Sequence, residues 1–205
     1  ISVNRLLPIV LGMSIMLYVG CMDDIMGLSP KARFLIEILV ILGLIYSSGI
    51  SVDSLHGLWG IDDIPSVVAV PLTIFAGVGI INAINMVDGV NGLSSGLCIT
   101  CSMLFGLQFF CIGAYVNAVL AFSIASSLFL FFIHNVFGNQ SRMFIGDAGT
   151  MVMGVLMTWF VMCSMHDAGR GMILDYAYCP TAMVVAILSV PVADTLRVMT
   201  MRVFH

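Results

Sequence analysis

Seven stretches of the chain are apolar almost without interruption, at residues 6–22, 34–50, 64–81, 93–112, 114–133, 148–165 and 177–193. Each is about the length at which an α-helix crosses the hydrocarbon of a bilayer, roughly 17–25 residues. Short polar loops separate them, with no low-complexity linker and no clear internal repeat, so the pattern predicts an all-α, polytopic transmembrane helix bundle in one domain. If successive stretches all span, loops 23–33, 82–92, 134–147 and 194–205 share one side of the membrane. Loops 51–63, 113–116 and 166–176 then share the other.

Composition fixes the solvent in which this pattern must be read. The 205 residues are 60% hydrophobic and 9% charged, with a mean hydropathy of +1.13, against about 25% charged residues in a soluble domain. No soluble core hides that much apolar surface, and backbone groups in lipid are satisfied within helices. The net charge of −4 is small, and neither a basic tract suited to nucleic acid nor an acidic tail is present. The chain starts at Ile1 and runs almost at once into an apolar stretch, which predicts a piece of a longer protein, incomplete at both ends. Cys98 and Cys101 form a CxxC, but on a lipid-embedded helix without nearby histidines they read as small packing residues.

Charge orients the bundle. The first side carries Lys31, Arg33, Arg142, Arg197 and Arg202, whereas the second carries Arg170, with Arg5 at the chain start. The positive-inside rule makes the first side cytoplasmic. That side also holds Asp23, Asp24, Asp88, Asp147 and Asp194, four of them in the glycine-bearing stretches CMDDIMGL, NMVDGVNGL and FIGDAGT. Neighbouring carboxylates repel unless they share a cation, and Mg²⁺ takes one or two carboxylates while keeping positions for water and phosphate oxygens. Asparagines add neutral carbonyl ligands and amide donors, and glycines let backbone N–H groups approach phosphates. The combination points to metal-assisted phosphoryl chemistry at the cytoplasmic membrane surface.

The words DDIMGL at 23–28, NAINMVDGVNGL at 82–93 and FIGDAGT at 144–150 resemble the three signature motifs of the polyprenyl-phosphate N-acetylhexosamine-1-phosphate transferases, in the same order. The resemblance covers essentially the whole chain. It implies ten or eleven helices in the full protein, about seven of them visible here, and a histidine-containing loop beginning near MTMRVFH at 199–205. It also implies a reaction in which a polyprenyl phosphate attacks the β-phosphate of a UDP-N-acetylamino sugar and releases UMP. In that reading Asp147 is a principal Mg²⁺ ligand, with Mn²⁺ able to substitute, and Asn85 or Asp88 completes or orients the metal shell. Asp23 and Asp24 lie beside the lipid phosphate, with Asp23 as a base or a phosphate-orienting group. Asp88 joins them as a catalytic candidate. Asn82, Asn85, Asn91, Arg142 and Asp194 are candidates for holding nucleotide, phosphates or lipid. The GDAG form resembles the bacterial branch that loads GlcNAc-phosphate for O-antigen or teichoic-acid synthesis, in the plasma membrane. The peptidoglycan branch, which takes phospho-MurNAc-pentapeptide, is the alternative. A homodimer is one oligomeric state left open.

Simpler readings stand beside these. Asp23 and Asp24 could end a helix in water. Asp88 with Gly89 could be a turn, and Asp147 a helix cap. Glu37 has Arg33 four residues earlier, which suits a structural ion pair. Asp194 and Arg197 follow Pro191 and could anchor a bent helix at the interface. His134 reads as a packing residue, and Asp53, His56, Asp62 and Asp63 as a solvated loop on the far side. Gly92 and Gly96 form a GxxxG suited to close packing. The rival from another class is an ion-coupled transporter, which would carry charges at midplane; here the aspartates sit at helix ends.

Overall fold

The structure, a computed structural model, describes residues 6–88, 92–138, 145–167 and 179–204. Among them are eight α-helices: α1 (Leu6–Met26), α2 (Pro30–Ser48), α3 (Ser66–Val87), α4 (Leu93–Cys111), α5 (Tyr115–Phe137), α6 (Gly146–Asp167), α7 (Pro180–Ile187) and α8 (Ser189–Phe204). The bundle is all-α, as the apolar pattern predicts. Five of the helices, α1, α3, α4, α5 and α6, are long and apolar enough to cross a membrane, and α7 with α8 makes a sixth if the bent pair counts as one span. The chain is thus a multi-pass membrane protein. α2 falls short of that test because Lys31, Arg33 and Glu37 lie within it.

α6 is the central post. It is buried along nearly its whole length and packs against α1, α3, α4 and α7. Tight backbone contacts set its position. A β-carbon built on Gly20 would lie 2.3 Å from Ala148 Cα, and one on Gly154 would lie 2.6 Å from Ile81 Cα. These small residues let α1 and α3 approach α6 backbone to backbone, the usual route to helix association where lipid offers no hydrophobic drive. Further along, Phe105, Phe109 and Phe160 form an aromatic cluster with ring centroids 5.6–6.2 Å apart. α5 packs mainly on α4, where Phe132 covers the faces of Gly92 and Gly96. The GxxxG is therefore used inside the chain.

Two sequence expectations are corrected. The last apolar stretch is broken, since α7 and α8 meet at Leu188 with a bend of 55°. Pro191 lacks an N–H, so it cannot bond the carbonyl of Ile187 four residues earlier. The Cys101 thiol donates to that carbonyl instead, at 3.4 Å. The predicted helix ends also stop short. α1 continues through Asp23 and Asp24, α3 continues through Asn82 and Asn85, and α6 begins before Asp147. Residues that read as loop are helix because their polar side chains find partners across the bundle.

Candidate active site

The ends of α1 and α3, the start of α2 and the start of α6 meet at one end of the bundle, and the polar words of the sequence meet there too. Asp23, on the last turn of α1, accepts from the Leu28 N–H at 2.7 Å through Oδ1 and from Arg33 Nη1 at 3.1 Å through Oδ2. The first contact closes the α1–α2 turn. α2 then starts at Pro30 behind Ser29, whose hydroxyl accepts from the Ala32 N–H at 3.3 Å. That start carries Arg33 back toward α1.

Asp24 performs a different task. Its two oxygens accept from the backbone N–H groups of Asp147 and Ala148, at 3.0 and 3.2 Å. The first-turn N–H groups of a helix have no partner within it and carry its positive end. A carboxylate from α1 therefore caps α6. Asp88 adds a second tie, accepting from the Gly146 N–H at 3.0 Å through Oδ2 and from the Ser94 hydroxyl through Oδ1. Gly146 itself has φ of +75°, a left-handed conformation that costs glycine little. A β-carbon there would also crowd Asp24 Oδ2 at 3.1 Å.

These ties aim Asp147. Its Oδ1 accepts from Asn85 Nδ2 and lies 3.7 Å from Arg33 Nη1, and its side chain is 34% exposed. Asn85 Nδ2 also donates to Thr150 Oγ1, one turn along α6, at 2.8 Å. One turn back on α3, Asn82 Nδ2 donates to Glu37 Oε2 at 2.6 Å and to the Val78 carbonyl at 2.9 Å. Glu37 is fully buried and pairs with Arg33 Nε at 3.3 Å. One guanidinium thus touches Asp23, Glu37 and Asp147. Its Nη2 is buried and bonded to nothing among the described residues.

The structure brings Asp23, Asp24, Asn82, Asn85, Asp88 and Asp147 into one connected network. It does not join Asp194 to it: that carboxylate pairs with Arg197 on α8 at 2.8 Å. Asn91 and Arg142 lie outside the described residues. Sequence reasoning missed Arg33 and Glu37, whose i,i+4 ion pair exists and is also part of the network, together with Thr150 and Ser94. The signal that could have found them is two opposite charges near the start of an apolar stretch, beside a loop of paired aspartates.

Asp23, Glu37 and Asp147 put three carboxylates on one guanidinium, and Asp24 and Asp88 add two more at the start of α6. Among the described residues, no three His, Cys, Asp or Glu side chains are grouped to hold an ion by themselves. The partly exposed Asp147 carboxylate is a hard oxygen donor suited to Mg²⁺, which completes its shell with water and phosphate oxygens, while Asn85 meets that carboxylate through its amide N–H and so orients it. The excess of negative charge favours a cation as well. Replacing Arg33 with lysine is expected to keep the charge but lose the fork that reaches several carboxylates at once. Losing one charge-assisted hydrogen bond costs about 1.5 kcal/mol, readable as a lower thermal midpoint of the purified full-length protein.

A helical membrane bundle with a carboxylate, amide and guanidinium network at one end defines the class: a polytopic membrane protein with a charged, hydrogen-bonded cluster where several helix ends meet. The comparisons carry this to a family. The Glycosyl transferase family 4 profile matches residues 6–165, and the chain belongs to that family. The chain is 27% identical over 98% of its length to a probable undecaprenyl-phosphate N-acetylglucosaminyl 1-phosphate transferase of Bacillus subtilis, covering 54% of that protein. It is 28% identical over 90% of its length to the decaprenyl-phosphate N-acetylglucosaminephosphotransferase of Mycobacterium leprae, covering 50% of it. A phospho-N-acetylmuramoyl-pentapeptide-transferase of Staphylococcus carnosus is 31% identical over 62% of the chain, with 41% of that protein covered. The chain spans about half the length of the curated relatives it matches.

Proposed function

We propose that this chain is the catalytic half of an enzyme that moves an N-acetylaminosugar 1-phosphate, GlcNAc-1-phosphate in the first instance, from a UDP-sugar to polyprenyl phosphate at the cytoplasmic membrane face. A lipid phosphate oxygen bonds to the β-phosphorus of the UDP-sugar, the bond from that phosphorus to the bridging oxygen breaks, and UMP leaves with the electron pair. The observation that carries the reading is the capped start of α6, where Asp24 and Asp88 hold the backbone that presents Asp147 to Asn85 and Arg33.

In this reading Asp147 would hold Mg²⁺, with Asn85 orienting its carboxylate, and the ion would supply charge neutralisation on the diphosphate and its leaving group. Arg33, whose Nη1 faces the partly exposed Asp147, is the cation placed to donate to a phosphate oxygen. Asp23 and Glu37 orient that guanidinium, and Asn82 fixes Glu37. Asp24 and Asp88 act on α6, an anchoring part in place of direct contact with the lipid phosphate. No strong base is required, because a phosphate monoester already carries about −1.5 to −2 charge near neutral pH.

The test is UMP release by the full-length protein given undecaprenyl phosphate, UDP-GlcNAc and Mg²⁺, beside a chelated control. UMP that needs both substrates and the metal supports the transfer; no UMP from any of a panel of UDP-sugars overturns it. The match to the Staphylococcus carnosus protein favours a second donor, UDP-MurNAc-pentapeptide. A clear preference for that donor over UDP-GlcNAc selects the peptidoglycan branch.

A further inference from the structure

The loop between α2 and α3 reads as a solvated turn in the sequence, yet the structure folds it into a closed hairpin. The Leu55 N–H donates to the Asp62 carbonyl at 2.9 Å, Gly57 N–H to the Ile61 carbonyl at 3.2 Å, and Ile64 N–H to the Asp53 carbonyl at 2.8 Å. The Thr181 hydroxyl of α7 donates to the Leu55 carbonyl at 2.8 Å, which fixes the hairpin on the bundle. At its tip, His56, Gly57, Trp59 and Gly60 all have positive φ. Two of these are not glycine, and a left-handed backbone is unfavourable for a bulky side chain such as tryptophan. The result of this contorted tip is an indole that is 85% exposed.

The indole packs against little among the described residues. An interrupted strip of exposed apolar side chains follows it: Ile61 and, beyond the exposed Asp62 and Asp63, Val67 and Val68 on the first turn of α3, a candidate membrane span. The strip therefore joins the wall of the bundle that meets lipid. The same end of the bundle carries exposed Tyr46 near the end of α2 and exposed Tyr115 at the start of α5, the latter 5.9 Å from Phe110 between ring centroids. Tryptophan and tyrosine gather at the boundary of hydrocarbon and water, where an apolar ring and a polar N–H or O–H are both accommodated. Asp53, Asp62 and Asp63 are exposed, so the hairpin has a charged part for water beside its apolar tip.

We propose that the hairpin tip is an interfacial anchor: Trp59 and Ile61 insert into the lipid headgroup layer at the end of the bundle opposite the carboxylate network. The occupant of this surface is lipid, because the hairpin leads directly into α3, a candidate membrane span whose first turn exposes Val67 and Val68. The anchor stands independently of the proposed reaction.

The experiment compares the tryptophan emission of the full-length protein in phosphatidylcholine–phosphatidylglycerol vesicles with that of Trp59→Phe. The difference between the two reports Trp59 without disturbing Trp159, which is buried in the core. The expected difference spectrum is blue-shifted from tryptophan in water and shielded from aqueous iodide. It is quenched more by lipids brominated high on the acyl chain than by lipids brominated near its end. Emission like that of free tryptophan, with full iodide quenching, overturns the proposal. Shielding from iodide with no quenching by brominated lipid also overturns it, because protein then covers the ring.

Discussion

Asp147→Asn is expected to lower UMP release by roughly three orders of magnitude, about the few kcal/mol of charge stabilisation that a metal anchor supplies. Asparagine has the same shape, and the main-chain N–H of residue 147 still meets Asp24 at the α6 cap. Circular dichroism and the thermal midpoint should therefore stay close to those of the unaltered protein. What is lost is the negative oxygen that Asn85 and Arg33 face. A diagnostic sign is the metal dependence: the residual rate should need more Mg²⁺ to saturate. Turnover within about threefold of the parent, at unchanged Mg²⁺ demand, would remove Asp147 from the centre of the reaction.

Gly20→Val should be the most damaging change made away from the polar network. The first new atom would stand 2.3 Å from Ala148 Cα, 2.6 Å from Ala148 N and 2.7 Å from the Asp147 carbonyl oxygen. All three are backbone atoms of the α6 start, so no side chain can swing aside. Overpacking a tight interior typically costs about 1–3 kcal/mol and more where backbone must move, and the upper end is expected here. If α1 shifts by even part of this overlap, Asp24 no longer meets the α6 N–H groups. Activity should therefore fall in the fraction that remains folded as well as in the total. The measurement is UMP release per folded molecule, with the folded fraction read by size-exclusion chromatography, against Gly43→Val. Gly43 has open space where its β-carbon would be, and that variant should behave as the parent.

Much of the site was legible because parity is a strong constraint. Three polar words separated by pairs of apolar stretches must return to one membrane face, and Asp23, Asp24, Asn85, Asp88 and Asp147 do meet there. The division of labour among them was not legible. Asp24 bonds backbone 123 residues away, and no local pattern distinguishes a carboxylate that caps a distant helix from one that meets a substrate. Arg33 and Glu37 looked complete as an i,i+4 pair, which hid that Arg33 also reaches Asp23 and Asp147. Helix ends were read too short at α1 and α3, because polarity marks a loop only when side chains go to water. The break at Leu188 had a visible cause in Pro191, but the Cys101 thiol from another helix that meets the freed Ile187 carbonyl was not legible.

α2 shows how the bundle must be put together. Lys31, Arg33 and Glu37 all lie in its first two turns, and a charged group buried there without a partner would be costly. In the finished protein Arg33 is neutralised from α1 by Asp23 and from α6 by Asp147, while Glu37 is held by Asn82 of α3. Those partners are translated both before and after α2. The polar bonds of α2 are therefore complete only when α1, α3 and α6 are all in place, so the contacts that aim the guanidinium at the site also tie α2 to the three helices around it.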